Sequence, residues 1–229
     1  MCCIIKNVSF FVKKGEIVGF AGLQGSGKTT LAKMIGGLIP KASGRIFYYN
    51  HELHYKKPHQ AIKHGIVYLG EDTSQNIILN ENAVFNTTFS NPKLFSIAGF
   101  WRKQKMISKT TTMLRSLNVS NDVDVQKPLK YLSKGQQQKV ALAKWLTANA
   151  TLFILKNPTQ FLDITSKTEL YNIINVLSHK GKSFIIFSND LSELSGMCDR
   201  VFILSEGQII KEFEHDEASS YNILYHASQ

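Results

Sequence analysis

The chain has 229 residues, 43% of them hydrophobic, which is enough for one α/β domain with a sizeable core and argues against disorder. Its 27 Lys and Arg against 17 Asp and Glu leave a net charge of +10, but Arg stands only at Arg45, Arg102, Arg115 and Arg200 and no Arg cluster alternates with aromatics, so a solvated lysine-rich surface is expected and no nucleic-acid partner. Cys2, Cys3 and Cys198 are too few for a disulfide framework or a zinc site, no apolar run approaches the roughly 20 residues of a membrane span, and "MCCIIKNVSF" lacks signal-peptide features, so a reducing setting is expected.

In chain order, "NVSFF" reads as a strand with Phe10 and Phe11 in its core, and "EIVGFAG" (16–22) as a second, apolar one. "SGKTTLAKMIGGL" predicts a helix with Leu31, Met34, Ile35 and Leu38 on one face. "GRIFYYN" reads as a strand after a glycine turn, "KPHQAIKHG" as a short helix opened by Pro58 and closed by Gly65, and "IVYLGED" as an apolar strand running into acids. From about 80 to 130 strand signals vanish, and "KQKMISKTTTMLRSLNV" suits a helix. "KGQQQKVALAKWLTANA" is a further helix with Val140, Leu142, Ala143 and Leu146 apolar. The pattern then alternates: a strand at 152–155, a helix at about 165–178, "KSFIIFS" as strand, "LSELSGM" as helix and "RVFILSEG" as strand. Strands alternating with helices predict a mostly parallel sheet covered on both faces, with the segment from 80 onward as a helical insertion.

"GLQGSGKT", Gly22 to Thr29, fits G-x-x-x-x-G-K-T with a strand before it and a helix after it. The chemistry needs that order. Gly22, Gly25 and Gly27 let the backbone wrap tightly, with Gln24 and Ser26 between them, so that successive N–H groups face phosphate oxygens, and the helix adds its positive end through Thr29 and Thr30. Lys28 supplies a point charge for the outer phosphates, and the Thr29 hydroxyl suits Mg²⁺.

"YLSKGQQQKVALAKWL" (131–146) is a polar loop opening a helix, and it resembles the signature loop of ATP-binding cassette (ABC) ATPases, usually spelled LSGGQ. Together with "VSFFVKKGEIVGFAGLQGSGKT", "GIVYLGED", "NPTQFLDITSKTELY" and "CDRVFILSEGQI", it makes the chain similar nearly end to end to that family, and most of all to the second cassette of fused, two-cassette bacterial sugar importers. The resemblance implies a P-loop NTPase of the ABC type across residues 1–229: a RecA-like α/β core, a small antiparallel β region and a helical subdomain inserted at about 80–140. It implies ATP as ligand, and a membrane permease subunit, a second cassette (fused or separate) and, indirectly, an extracellular or periplasmic solute-binding protein as partners, on the cytoplasmic face of the bacterial plasma membrane. Ser133, Gly135 and Gln136 would complete a partner cassette's ATP site, with Lys134 replacing the first signature glycine. Asp163 matches the aspartate at the cassette–cassette interface, and Glu71 stands where most cassettes have the Q-loop glutamine, a further candidate for Mg²⁺ beside Thr29.

Three positions depart from the family together. The strand at 152–155 should run into Asp-Glu, the Asp for Mg²⁺ and the Glu to polarise water; here Lys156 and Asn157 follow it. Asn189, in "FSND", stands where many cassettes keep a histidine. Asn accepts no proton, so general-base help worth about 10²–10⁴ in rate is lost, and an ammonium opposes a nearby cation. The expectation is a site that binds nucleotide, holds Mg²⁺ weakly, and hydrolyses poorly or not at all. The chain also starts almost at "NVSF", which reads as the tail of a longer protein with "CCII" as the other reading.

His51, His54, His59 and His64 read as surface histidines without an acid partner. Phe85, Phe89, Phe95, Phe100 and Trp101 read as core or as the groove for a permease helix. Two rival functions remain open: a non-catalytic nucleotide-sensing or assembly module derived from a cassette, and a soluble cassette protein acting on ribosomes or DNA, although no charged linker or coiled-coil insertion is visible.

Overall fold

The computed structural model describes residues 5–120 and 122–228; Cys2, Cys3 and Ile4 of "CCII" lie outside the described residues. The elements in chain order are β1 (Ile17–Ala21), α1 (Lys28–Ile35), β2 (Phe47–Tyr48), β3 (His51–Glu52), α2 (Pro58–Lys63), β4 (Ile66–Leu69), α3 (Ala83–Thr88), α4 (Pro92–Phe95), β5 (Ser96–Ile97), β6 (Phe100–Trp101), α5 (Lys103–Ser116) and α6 (Lys134–Thr147). Then follow β7 (Leu152–Lys156), α7 (Ile164–His179), β8 (Ser183–Phe187), α8 (Leu191–Met197), β9 (Arg200–Ser205), β10 (Gln208–Glu214) and α9 (Ser220–Ala227). The chain forms two units. One runs through Tyr68, takes up Thr151–Pro158 and resumes at Asn175; the other comprises Leu69–Ala150 and Thr159–Ile174.

The first unit is built on a sheet of order β10-β9-β1-β8-β7-β4, with β1 parallel to both β8 and β9, β7 parallel to β8, and β10 antiparallel on the edge. Every residue of β1 and of β8 is buried, as strands covered on both faces require. Phe20 stacks between Phe187 and Phe202 at centroid distances of 4.8 and 5.2 Å, and Phe10 meets it edge-on at 4.9 Å. Truncating a ring so enclosed would cost about 3–5 kcal/mol. Helix α1 adds Leu31, Ala32 and Ile35 to the same core.

The second unit carries the helices α3, α5 and α6. Asn82 caps α3 by accepting from Phe85 N at 2.8 Å, and the buried Thr87 and Thr110 hydroxyls join α3 to α5 at 2.7 Å. Val140, Leu142 and Ala143 of α6 are fully buried, and Lys139 pairs with Glu169 at 2.8 Å while also donating to Asn118 O at 2.8 Å. Among the described residues no helix is long and apolar enough to cross a membrane.

Several local expectations are corrected. Residues 5–16, before β1, form no strand. Phe10 packs on the core, but Phe11 is exposed and lies over the Arg200 guanidinium at 4.3 Å, while Arg200 donates to Phe11 O and pairs with the buried Glu16 at 2.7 Å. Helix α1 ends at Ile35 because Gly37 takes φ 73, so Leu38 turns outward and is exposed. The "GRIFYYN" strand stops at Tyr48, since Tyr49 and Asn50 (φ 47 and 63) form the tight turn that pairs β2 with β3. A second hairpin, β5–β6, turns at Ala98 and Gly99 (φ 50 and 84) inside the segment read as strand-free; two-residue strands are too short for alternation to show. Edge strand β10 and helix α9 also went unread: β10 is mostly exposed and bulged between Ile209 and Lys211, so it lacks an apolar signal.

Candidate functional site

β1 delivers Gly22 to the carboxyl end of a parallel sheet, where α/β folds bind ligands. Gly22 has φ 150, and a Cβ there would lie 2.2 Å from Leu204 O and 2.8 Å from Ser26 Oγ, so no larger residue fits. Leu23, Gln24 and Gly25 form an exposed turn closed by Ser26 N donating to Leu23 O at 3.1 Å. Gly27 caps α1 from a left-handed conformation and offers no side chain to the helix end, so the first-turn N–H groups, through Thr29 and Thr30, suit an anion. Among the described residues the buried Ser26 hydroxyl has no hydrogen-bond partner, a donor in the same turn.

Lys28 is buried and donates to Gly22 O at 2.6 Å, to Ser188 O at 3.2 Å and to Asn189 Oδ1 at 2.7 Å. Burial, and then the charge of Lys156, lower its ammonium from the ordinary 10.5 to about 8. The strand end on the other side is held by Asn157. Its N–H donates to Phe187 O at 2.8 Å, and its side-chain oxygen accepts from Asn189 N at 3.1 Å. Asn157 sits at φ 43, a left-handed conformation that Asn tolerates better than most residues. Asn189 therefore bridges Lys28 of the phosphate loop and Asn157, the residue just after β7, a link that its place in "FSND" alone did not reveal. Half-buried Lys156 closes β7, opposite Phe187.

These residues do not fit Mg²⁺ well. The ion wants near-octahedral oxygen ligands and usually takes one or two carboxylates. At this strand end stand an ammonium and a carboxamide whose oxygen is already engaged, and among the described residues no group of three or more acidic, His or Cys side chains could hold a metal. Thr29 offers its hydroxyl from the first turn of α1. Glu71, the other expected ligand, belongs to the second unit, half-buried just beyond Gly70, which Asn76 clamps through both its N–H (3.0 Å) and its carbonyl (2.9 Å).

In the second unit Ser133 is the N-cap of α6. It accepts from Gln136 N at 3.2 Å, and Gln136 Oε1 accepts from Ser133 N at 3.0 Å, so Gln136 acts as a reciprocal cap. Gly135 is buried, and a Cβ there would lie 2.6 Å from Ser166 Oγ. Ser166 in turn donates to the exposed Asp163 through its N–H (2.9 Å) and hydroxyl (2.7 Å), bonds that hold the Asp163 carboxyl below its usual range. Ser133 and Lys134 are exposed at the same helix start.

The aromatic set splits. Phe95 is fully buried, whereas Phe89, Phe100 and Trp101 are exposed and Phe85 stacks on Phe89 at 4.8 Å. His54 has an acid neighbour after all, Glu52 at 4.0 Å.

A profile of the ABC transporter family matches residues 5–160. The chain belongs to the ABC transporter family. Among its ABC relatives, the ribose import ATP-binding protein of Caldanaerobacter subterraneus subsp. tengcongensis is 38% identical over 226 residues, 98% of this chain and 45% of that protein. The ribose import ATP-binding protein of Bacillus cereus is 38% identical over 220 residues, 96% of this chain and 44% of that protein. The chain spans less than half the length of these curated relatives. Among solved ABC structures, a nucleotide-free ATP-binding cassette from an ABC transporter superposes with a TM-score of 0.82 at 24% identity, over 96% of this chain and 88% of that one. The ADP conformation of another cassette gives 0.79 at 22% identity, over 93% and 86%. The fold is thus that of an ABC ATP-binding domain.

Proposed function

We propose that this chain is the ATP-binding subunit, or one half-subunit, of a carbohydrate-type ABC importer, and that its own site binds ATP but hydrolyses it poorly. One observation carries the reading: Lys28, the glycine loop and the open start of α1 are in place, while the strand end that should supply acids presents Lys156 and Asn157. Phosphoryl transfer rests on positioning and charge, so a site can keep its grip on phosphate and lose its turnover. Asn157 cannot take a proton from water, and its oxygen is occupied by Asn189 N. Within the first unit, Thr29 is the oxygen donor proposed for Mg²⁺, which is weakly held.

The signature loop serves a second cassette. Exposed Ser133, the close-packed Gly135 and the start of α6 behind them offer N–H and O–H donors to a γ-phosphate held by a partner, with Gln136 fixing the helix start. Closure of the cassette pair around ATP would drive a membrane permease on the cytoplasmic face, fed by a solute-binding protein, and hydrolysis at the partner's site would reset it. The names of the relatives make ribose and related sugars the first solutes to try.

The test is calorimetric ATP binding by the purified chain, with turnover measured alone and after mixing with a cassette that keeps both acids. Binding without turnover alone, and Ser133-dependent turnover in the mixture, is the expected result. Brisk hydrolysis by the isolated chain, or no ATP binding, overturns the reading.

A further inference from the structure

The interest of Lys156 lies in where the fold puts it. β7 and β8 run parallel with Lys156 opposite Phe187, and the next residue, Asn157, is bonded back to Phe187 O at 2.8 Å. Asn157 Oδ1 holds Asn189 N at 3.1 Å, and Asn189 Oδ1 holds Lys28 Nζ at 2.7 Å. A continuous hydrogen-bonded path therefore fixes the end of β7 against the phosphate loop, and Lys156 is the residue at that end. Lys28 and the strand end that carries Lys156 are thus tied together beside the start of α1, and β7 ends in an ammonium residue and a carboxamide residue where a carboxylate could have stood.

Two cationic residues at this end of the sheet favour an anion over a further cation. A dication entering beside Lys156 meets repulsion at short range, which is least screened in a partly buried site. A polyphosphate without a metal meets the opposite: its charge is divided between two fixed ammonium donors and the backbone N–H groups.

We propose that Lys156 takes over the charge-neutralising task of a divalent cation, so that this loop accepts metal-free nucleoside triphosphate and Mg²⁺ weakens rather than strengthens its binding. The inference rests on the reading of the chain as an ATP-binding domain. An ammonium neutralises phosphate charge but cannot coordinate and activate a water, so the substitution also matches a site that holds nucleotide without turnover.

The experiment is ATP titration of the full chain by calorimetry, in EDTA and in excess MgCl₂, for wild type, Lys156→Gln and Lys156→Asp, with thermal melts showing that each variant is folded. Wild type should bind ATP more tightly in EDTA than in Mg²⁺. Lys156→Gln should weaken the metal-free titration by about tenfold while changing the Mg²⁺ titration less. Lys156→Asp should weaken it further and make binding depend on Mg²⁺. If wild type requires Mg²⁺, or if Lys156→Gln leaves both titrations unchanged, Lys156 plays no such part, although the chain would still be an ATP-binding domain. If wild type binds ATP in neither condition, the ATP-binding reading itself fails and this inference with it.

Discussion

The two ends of the candidate site differ in kind. At the phosphate loop, Gly22 to Thr30, each residue has the form that phosphate binding needs: a glycine where no Cβ fits, an uncapped helix start, an unpartnered buried hydroxyl and a lysine at the centre. At the end of β7, some hydrogen bonds away, stand Lys156 and Asn157, an ammonium residue and a carboxamide residue rather than carboxylates. Binding and hydrolysis make different demands of a site, because the first needs donors and positive charge and the second needs a base and a placed cation.

Breaking the intact end should have the largest effect. Lys28→Ala removes a charge-assisted donor and should weaken ATP binding by about a hundredfold, roughly 3 kcal/mol, measured by calorimetry. Repairing the altered end is the converse. The double variant Lys156→Asp, Asn157→Glu, mixed with an intact cassette, should raise Mg²⁺-dependent phosphate release by about 10² or more. A left-handed backbone at residue 157 will cost the Glu about 1–2 kcal/mol in melting stability. Next in size is Gly135→Ala, whose Cβ would press on Ser166 and should cost about 1–3 kcal/mol; adding Ser166→Gly should recover most of it, which denaturant titration of the double-mutant cycle would read.

The pH dependence sharpens the comparison from the intact side. Lys28 loses its proton near pH 8 in the free protein, and bound phosphate favours the charged form. Binding therefore takes up a proton above that pH, and affinity should fall by up to about tenfold per unit as pH rises past 8. The smallest effect is Ser133→Ala, which removes the α6 cap and should cost about 1 kcal/mol in a thermal melt.

Much of this molecule was legible in the chain. "EIVGFAGLQGSGKTTLAK" declares its strand, loop and helix because parallel strands are continuously apolar and the loop needs glycine at fixed spacing. "LSKGQQQ" likewise declares a capped helix start. The Lys156–Asn157 anomaly was visible too, since it consists of residue types alone.

What the chain did not show depended on distant partners. The Tyr49–Asn50 turn needs a left-handed tyrosine, which no local preference announces and only pairing of β2 with β3 justifies. Phe11 looked like a core residue and is instead drawn to Arg200, whose own position is set by Glu16 and β10. The bond from Lys28 to Asn189 spans 161 positions and exists because β1 and β8 are neighbours in the sheet. Residue types and local periodicity therefore determined the elements, the phosphate loop and the chemistry absent from β7. Tertiary structure alone decided which side chains meet, because pairing of strands distant in sequence brings Lys28, Asn189 and Asn157 into one hydrogen-bonded path.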